Sequence, residues 1–123
     1  MAEQISLNRI DEIMRAVFLQ LKTMGGHANG NDVLAAVEPK LGLTDDEKEK
    51  THTGDVRWDA YVRLYTSDCV KAGYLKKTED SWTLTPKGER ALTLRPGELI
   101  RSARREYKKW AFREVCGDTR WIA

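Results

Sequence analysis

The stretch that most constrains the fold is residues 70–92, VKAGYLKKTEDSWTLTPKGERAL. A helical run stops at Ala72-Gly73, because glycine supplies the left-handed residue that closes a helix without a steric penalty. Residues 74–78 and 81–85 are short and β-prone, and Glu79-Asp80 can turn between them. Thr85 then caps a new helix with Pro86 at its first position, where a missing N–H is no loss. A helix, a hairpin and another helix in this order leave a small soluble chain few architectures.

Upstream, Ile10, Ile13, Met14, Val17, Phe18 and Leu21 recur at three- and four-residue steps, marking one face of a helix that Asn8 can cap and Gly25-Gly26 can end. A second pattern runs through Val33, Leu34, Val37 and Leu41, behind the capping candidates Asn31 and Asp32. Pro39 would remove a hydrogen bond from that helix at about 3 kcal/mol, so a break or kink is predicted there. Thr44 and Glu47 have capping-box spacing on a brief charged turn, and residues 52–55 form a loop. Along residues 57–73, Trp58, Val62, Tyr65, Cys69 and Ala72 make a buried stripe, leaving Asp59, Arg63, Thr66, Ser67 and Val70 on the opposite face. Three helices and a hairpin, the third helix presenting a polar face beside that hairpin, describe an α+β, mostly helical winged helix-turn-helix.

After Pro96 comes an additional C-terminal amphipathic helix. Leu99, Ile100, Ala103, Tyr107, Trp110 and Ala111 lie on one side, and Arg101, Arg104, Arg105, Lys108, Lys109 and Arg113 on the other. The expected organisation is a winged-helix domain over 1–94 and a basic helix over 95–123, the latter an extension of that domain or a linker to a further one.

A chain of 123 residues fits one domain. Cys69 and Cys116 form no Cys-x-x-Cys pair and have no histidine cluster, so neither a disulfide framework nor a metal site is indicated, and no cofactor is expected. No signal peptide and no apolar run of membrane-spanning length is present, which predicts a cytoplasmic, nucleoid-associated protein without membrane contact. A net charge of +2 is too mild to announce nucleic-acid binding by itself. Its distribution is uneven: residues 1–94 hold 13 basic and 15 acidic side chains, and residues 95–123 hold 8 and 4.

The order of elements, with LGLTDDEKEK leading into the third helix and VKAGYLKKTEDSWTLTPKG after it, resembles the amino-terminal winged-helix domain of Mrr-type restriction proteins. Leu41-Gly42-Leu43-Thr44, Ala72-Gly73, Trp82 and Thr85 to Gly88 carry the resemblance, which spans residues 10–94. The family tends to carry Asn-Arg early in the recognition helix and a Trp about three residues later; here Ala60-Tyr61 and Leu64 stand in those places. The family's nuclease domain, with an Asp and a Glu-x-Lys on adjacent strands, has no counterpart in these residues. The resemblance implies a target-recognition module of a restriction or defence protein, binding double-stranded DNA that carries or lacks modified bases, with a nuclease domain or subunit as partner.

In a winged helix the exposed face of the third helix enters the major groove, where Arg reads guanine edges and Ser or Thr serves bases or phosphates. Arg57, Arg63, Thr66, Ser67 and Lys71 are the candidates on that helix. Lys76 and Lys77 on the first hairpin strand suit phosphates, and Arg101, Arg104, Arg105 and Lys108 offer additional phosphate contacts. The acidic tip, Glu79 and Asp80, should stay out of the minor groove. Two other readings stand beside this one: a protein-interaction module using Tyr61 and Trp82 as exposed aromatics, and a regulator that forms a homodimer through its final helix. No catalytic residue is expected. Asp46-Glu47-Lys48 has the acidic-x-Lys spacing of a nuclease but lies in a helix-prone charged run, and Cys69 reads as a small buried hydrophobe.

Overall fold

A computed structural model describes residues 5–116 of the chain, with side chains to residue 113. Among these residues nine α-helices and β-strands follow in order, besides one 3-10 turn: α1 (Leu7–Thr23), β1 (His27–Ala28), α2 (Gly30–Val37), α3 (Asp45–Lys48), α4 (Arg57–Lys71), β2 (Leu75–Lys77), β3 (Trp82–Leu84), α5 (Pro86–Ala91) and α6 (Glu98–Cys116). The architecture is α+β and mostly helical. Helix α1 buries the whole predicted stripe, Ile10, Ile13, Met14, Val17, Phe18 and Leu21. Its cap is Ser6, whose hydroxyl accepts from Arg9 N, and not Asn8.

Helix α2 is capped by Asn29, upstream of the expected Asn31 or Asp32. It stops at Val37, and the break predicted at Pro39 appears as a 3-10 turn over Glu38–Lys40. Thr44 and Glu47 complete a capping box on α3. The Glu47 carboxylate is also gripped by Arg9 of α1 through Nε at 2.8 Å and Nη2 at 3.0 Å. That pairing holds the Glu47 carboxyl below the usual carboxylate range and raises the Arg9 guanidinium further. The middle residue of the Asp46-Glu47-Lys48 triplet is therefore a structural anchor between α3 and α1.

The hairpin matches the expected turn chemistry. Gly73 sits at φ +84° after α4, β2 and β3 pair antiparallel with Lys76 opposite Thr83, and Thr85 caps α5 by accepting from Gly88 N. Glycine is required at position 88, since a Cβ there would overlap the Tyr74 carbonyl oxygen. A two-residue strand, β1, adds to the far edge of β3 with His27 opposite Thr83, giving the sheet order β1-β3-β2.

Helix α6 closes the core with Leu99, Ile100 and Ala103, all fully buried against α1 and α4. Its first turn is held by Asp11 of α1, a carboxylate only 1% exposed. Asp11 accepts from Gly97 N and Ile100 N, both at 2.9 Å, and pairs with Arg15. Arg15 in turn donates to the carbonyls of Leu92 and Arg95, fastening the approach to α6. Among the described residues no helix is long and apolar enough to cross a membrane.

Candidate nucleic-acid interface

Helix α4 buries Trp58, Val62 and Cys69, and burial pushes the Cys69 thiol up, so that it behaves as a small hydrophobe. One flank of α4 lies against the hairpin, the other against α6. Tyr74, where the chain leaves α4, shares a 2.8 Å hydrogen bond with Ser102 of α6. Between these flanks a strip of α4 stays open, carrying Arg63, Leu64, Ser67 and Lys71 as exposed residues with Ala60 half-buried.

The predicted site residues separate into distinct environments. Arg63 is on the open strip, where its guanidinium donates to Asp59 Oδ1 on its own helix and, at 2.7 Å, to Asn31 Oδ1 of α2. Ser67 is exposed. Lys71 lies with its ammonium 4.0 Å from the centre of the Trp110 ring, within cation–π range. Lys76 is exposed on β2. Arg57 is turned to the other end, where its Nε donates to Asp46 O and its Nη2 stands 4.0 Å from Glu49, tying the entry of α4 to α3.

Thr66 corrects the helical-wheel expectation. It is fully buried, not on the open face, because the hairpin folds over that edge of α4. Its Oγ1 donates to Arg63 O and accepts from Lys77 Nζ at 3.1 Å. Lys77 remains exposed but bends its ammonium to that hydroxyl, 5.2 Å from the Trp82 ring centre; desolvation, and then the nearby Arg63 charge, lower its proton affinity. Trp82, expected as an exposed aromatic, is also buried, with its indole packed so closely on α2 that a Cβ at Gly30 would stand 2.6 Å from it. Tyr61 is half-buried and stacks on Tyr65.

Across the open strip, α6 brings up its own cations. Arg104 stands 6.0 Å from the Tyr65 ring centre, and with Lys108 it borders a depression shared by Leu64, Tyr65, Asp68 and Tyr107. The Asp68 carboxyl there is raised by burial, with Arg104 opposing the shift. Arg101 and Arg105 instead turn back to the start of their own helix, Arg101 donating to Gly97 O and Arg105 standing 3.5 Å from Glu98. The hairpin tip, Glu79 and Asp80, is exposed. Asn31 is a partner that the sequence reading missed. Its side chain meets Arg63 across 32 positions of sequence, and no local signal announces such a pair.

These features define a small α+β module in which a solvent-facing helix lies between a β-hairpin and a basic helix. Residues 11–93 match the model of the Mrr N-terminal domain, and the chain belongs to that family. The matched region is the family's amino-terminal domain and not its catalytic part. No curated protein and no solved structure matches the chain.

Proposed function

We propose that this chain is a winged-helix module that binds double-stranded DNA and recognises the target for a restriction or defence system. In this reading α4 enters the major groove, whose width of about 12 Å accepts one helix, and the hairpin follows the backbone. The observation that supports it is the disposition of charge around α4. Arg63, Lys76 and Lys77 lie toward the hairpin edge of the open strip, and Lys71, Arg104 and Lys108 toward the α6 edge. A duplex laid along such a strip would meet cations on both sides. The exposed Arg63–Asp59 pair is worth about 0–1 kcal/mol, so phosphate can displace it cheaply. Arg57, held at the α3 end, would orient α4 and contact phosphate only at the edge; Arg101 and Arg105 would add long-range attraction. The chemistry would reside in a nuclease domain or subunit, and the setting would be the cytoplasm.

Fluorescence anisotropy with a labelled mixed-sequence duplex tests this reading. The Arg63→Ala/Lys71→Ala double variant should bind more weakly, with a salt slope smaller by about one for each phosphate that is no longer neutralised. Wild-type affinity in a variant with an unchanged circular dichroism spectrum would reject the assigned face. A second reading, docking onto a partner protein or a second copy through α6, is favoured by the exposure of Tyr107 at 37% and Phe112 at 66%. It predicts no duplex binding even at low salt.

A further inference from the structure

Along the seam between α4 and α6, cations meet aromatic rings. The depression bordered by Tyr65, Asp68, Arg104, Tyr107 and Lys108 adjoins another, lined by Tyr61, Tyr65 and Arg104 beside the start of α1. The two share Tyr65 and Arg104 and run together as one trough. On α4 the two tyrosines fall four positions apart and therefore lie on one face. Their ring centres are 6.5 Å apart and the rings only 11° from parallel. Both are half-buried, and Tyr107, 37% exposed, joins them from α6. The Arg104 guanidinium stands 6.0 Å from the Tyr65 ring centre, and Lys108 is exposed at the rim.

A closed duplex has little use for recessed rings, because its bases are stacked on one another and show the grooves only their edges. An unpaired nucleotide has a free π-face, and aromatic side chains in a basic groove are the usual platform for it. We propose that the trough between α4 and α6 is a binding site for single-stranded DNA, its bases laid against Tyr61, Tyr65 and Tyr107 and its phosphates on Arg104 and Lys108. From Tyr61 to Asp68 the trough follows α4 for about 10 Å, the length of about three stacked bases. Asp68, half-buried on the α4 wall, repels phosphate and so directs the backbone to the α6 side, where the two cations stand. The site is distinct from the strip of α4 assigned to duplex DNA, and the proposal does not depend on that reading.

The test uses the full chain with labelled oligothymidine, which forms no duplex of its own, and with a labelled mixed-sequence duplex. Oligothymidine should bind at low salt. Tyr107→Ala, with an unchanged circular dichroism spectrum, should weaken it by about fivefold or more, while Tyr107→Phe, which keeps the ring, should preserve it. Duplex affinity should be the same in all three proteins. Irradiation with oligothymidine carrying 5-iodouracil should attach the strand to Tyr61, Tyr65 or Tyr107. Failure of oligothymidine to bind, equal affinity in Tyr107→Ala and wild type, equal losses for strand and duplex, or attachment confined to other residues overturns the proposal. Duplex binding without strand binding overturns it alone; strand binding without duplex binding overturns the duplex reading and leaves this one standing.

Discussion

Replacing Glu47 with Gln tests how α4 is positioned. The Glu47 side chain is 8% exposed, and Arg9, 24% exposed, donates to both of its oxygens. Oε1 also accepts from Thr44 N at 3.0 Å, closing the capping box of α3. Glutamine keeps one acceptor but turns an amide toward the guanidinium and removes the charge. Breaking a fully buried pair costs about 3–5 kcal/mol; water can reach part of Arg9, so a loss of about 2 kcal/mol is expected at neutral pH. In urea unfolding this moves the midpoint down by about 1 M. The pH dependence provides a second readout. Arg9 depresses the folded carboxyl below its ordinary value, so the unfolded chain takes up that proton first as acid is added. The pair's contribution is complete above about pH 4.3 and disappears as pH falls through the lowered folded value. The gap between wild type and Glu47→Gln should therefore be widest near neutrality and narrow in acid. A gap that stays constant into acid, or one below about 0.5 kcal/mol at neutral pH, would refute the view that this pair anchors α3.

Three further outcomes follow from the geometry. Gly88→Ala would press a methyl against the Tyr74 carbonyl and Leu84, and should destabilise by about 2–4 kcal/mol in chemical denaturation; a loss under about 0.5 kcal/mol would show that the hairpin yields. Duplex binding should draw Lys71 off Trp110, changing the emission component that Trp110→Phe removes, and Lys71→Met should reproduce that change without DNA; an indifferent Trp110 signal would place Lys71 away from the phosphates. Replacing both Glu79 and Asp80 with Lys should tighten duplex binding regardless of sequence, by roughly tenfold at low salt, and unchanged affinity would put the tip remote from DNA.

The parts of the fold that were legible in the sequence are those written in local chemistry. Gly73, the Thr85-Pro86 start of α5 and the three- and four-residue spacing of α1 each act within a turn or two of themselves, and each appears where expected. Strand β1 was not legible, because two residues have no periodicity and His27–Ala28 becomes a strand only by pairing with β3. Thr66 was misplaced for a related reason: a helical wheel shows which residues share a face and not which neighbour will cover it. Ser67 and Lys71 could be assigned to the exposed surface, whereas the capture of Arg63 by Asn31 and of Arg57 by α3 depends on contacts between elements. Asp11 gave no signal at all, since an acid within the first half of an amphipathic helix ordinarily points to water.

That aspartate also fixes how much chain must come together before any of it is stable. Its carboxylate is enclosed, and the backbone groups that satisfy it lie 86 and 89 positions downstream, beyond the point where the family match ends. A fragment cut at the family boundary would keep Arg15 beside this carboxylate but lose both backbone donors and the buried Leu99, Ile100 and Ala103 that cover α1. The inherited unit and the packed unit are therefore of different lengths, and the contacts around the first helix are complete only once residue 100 has been made.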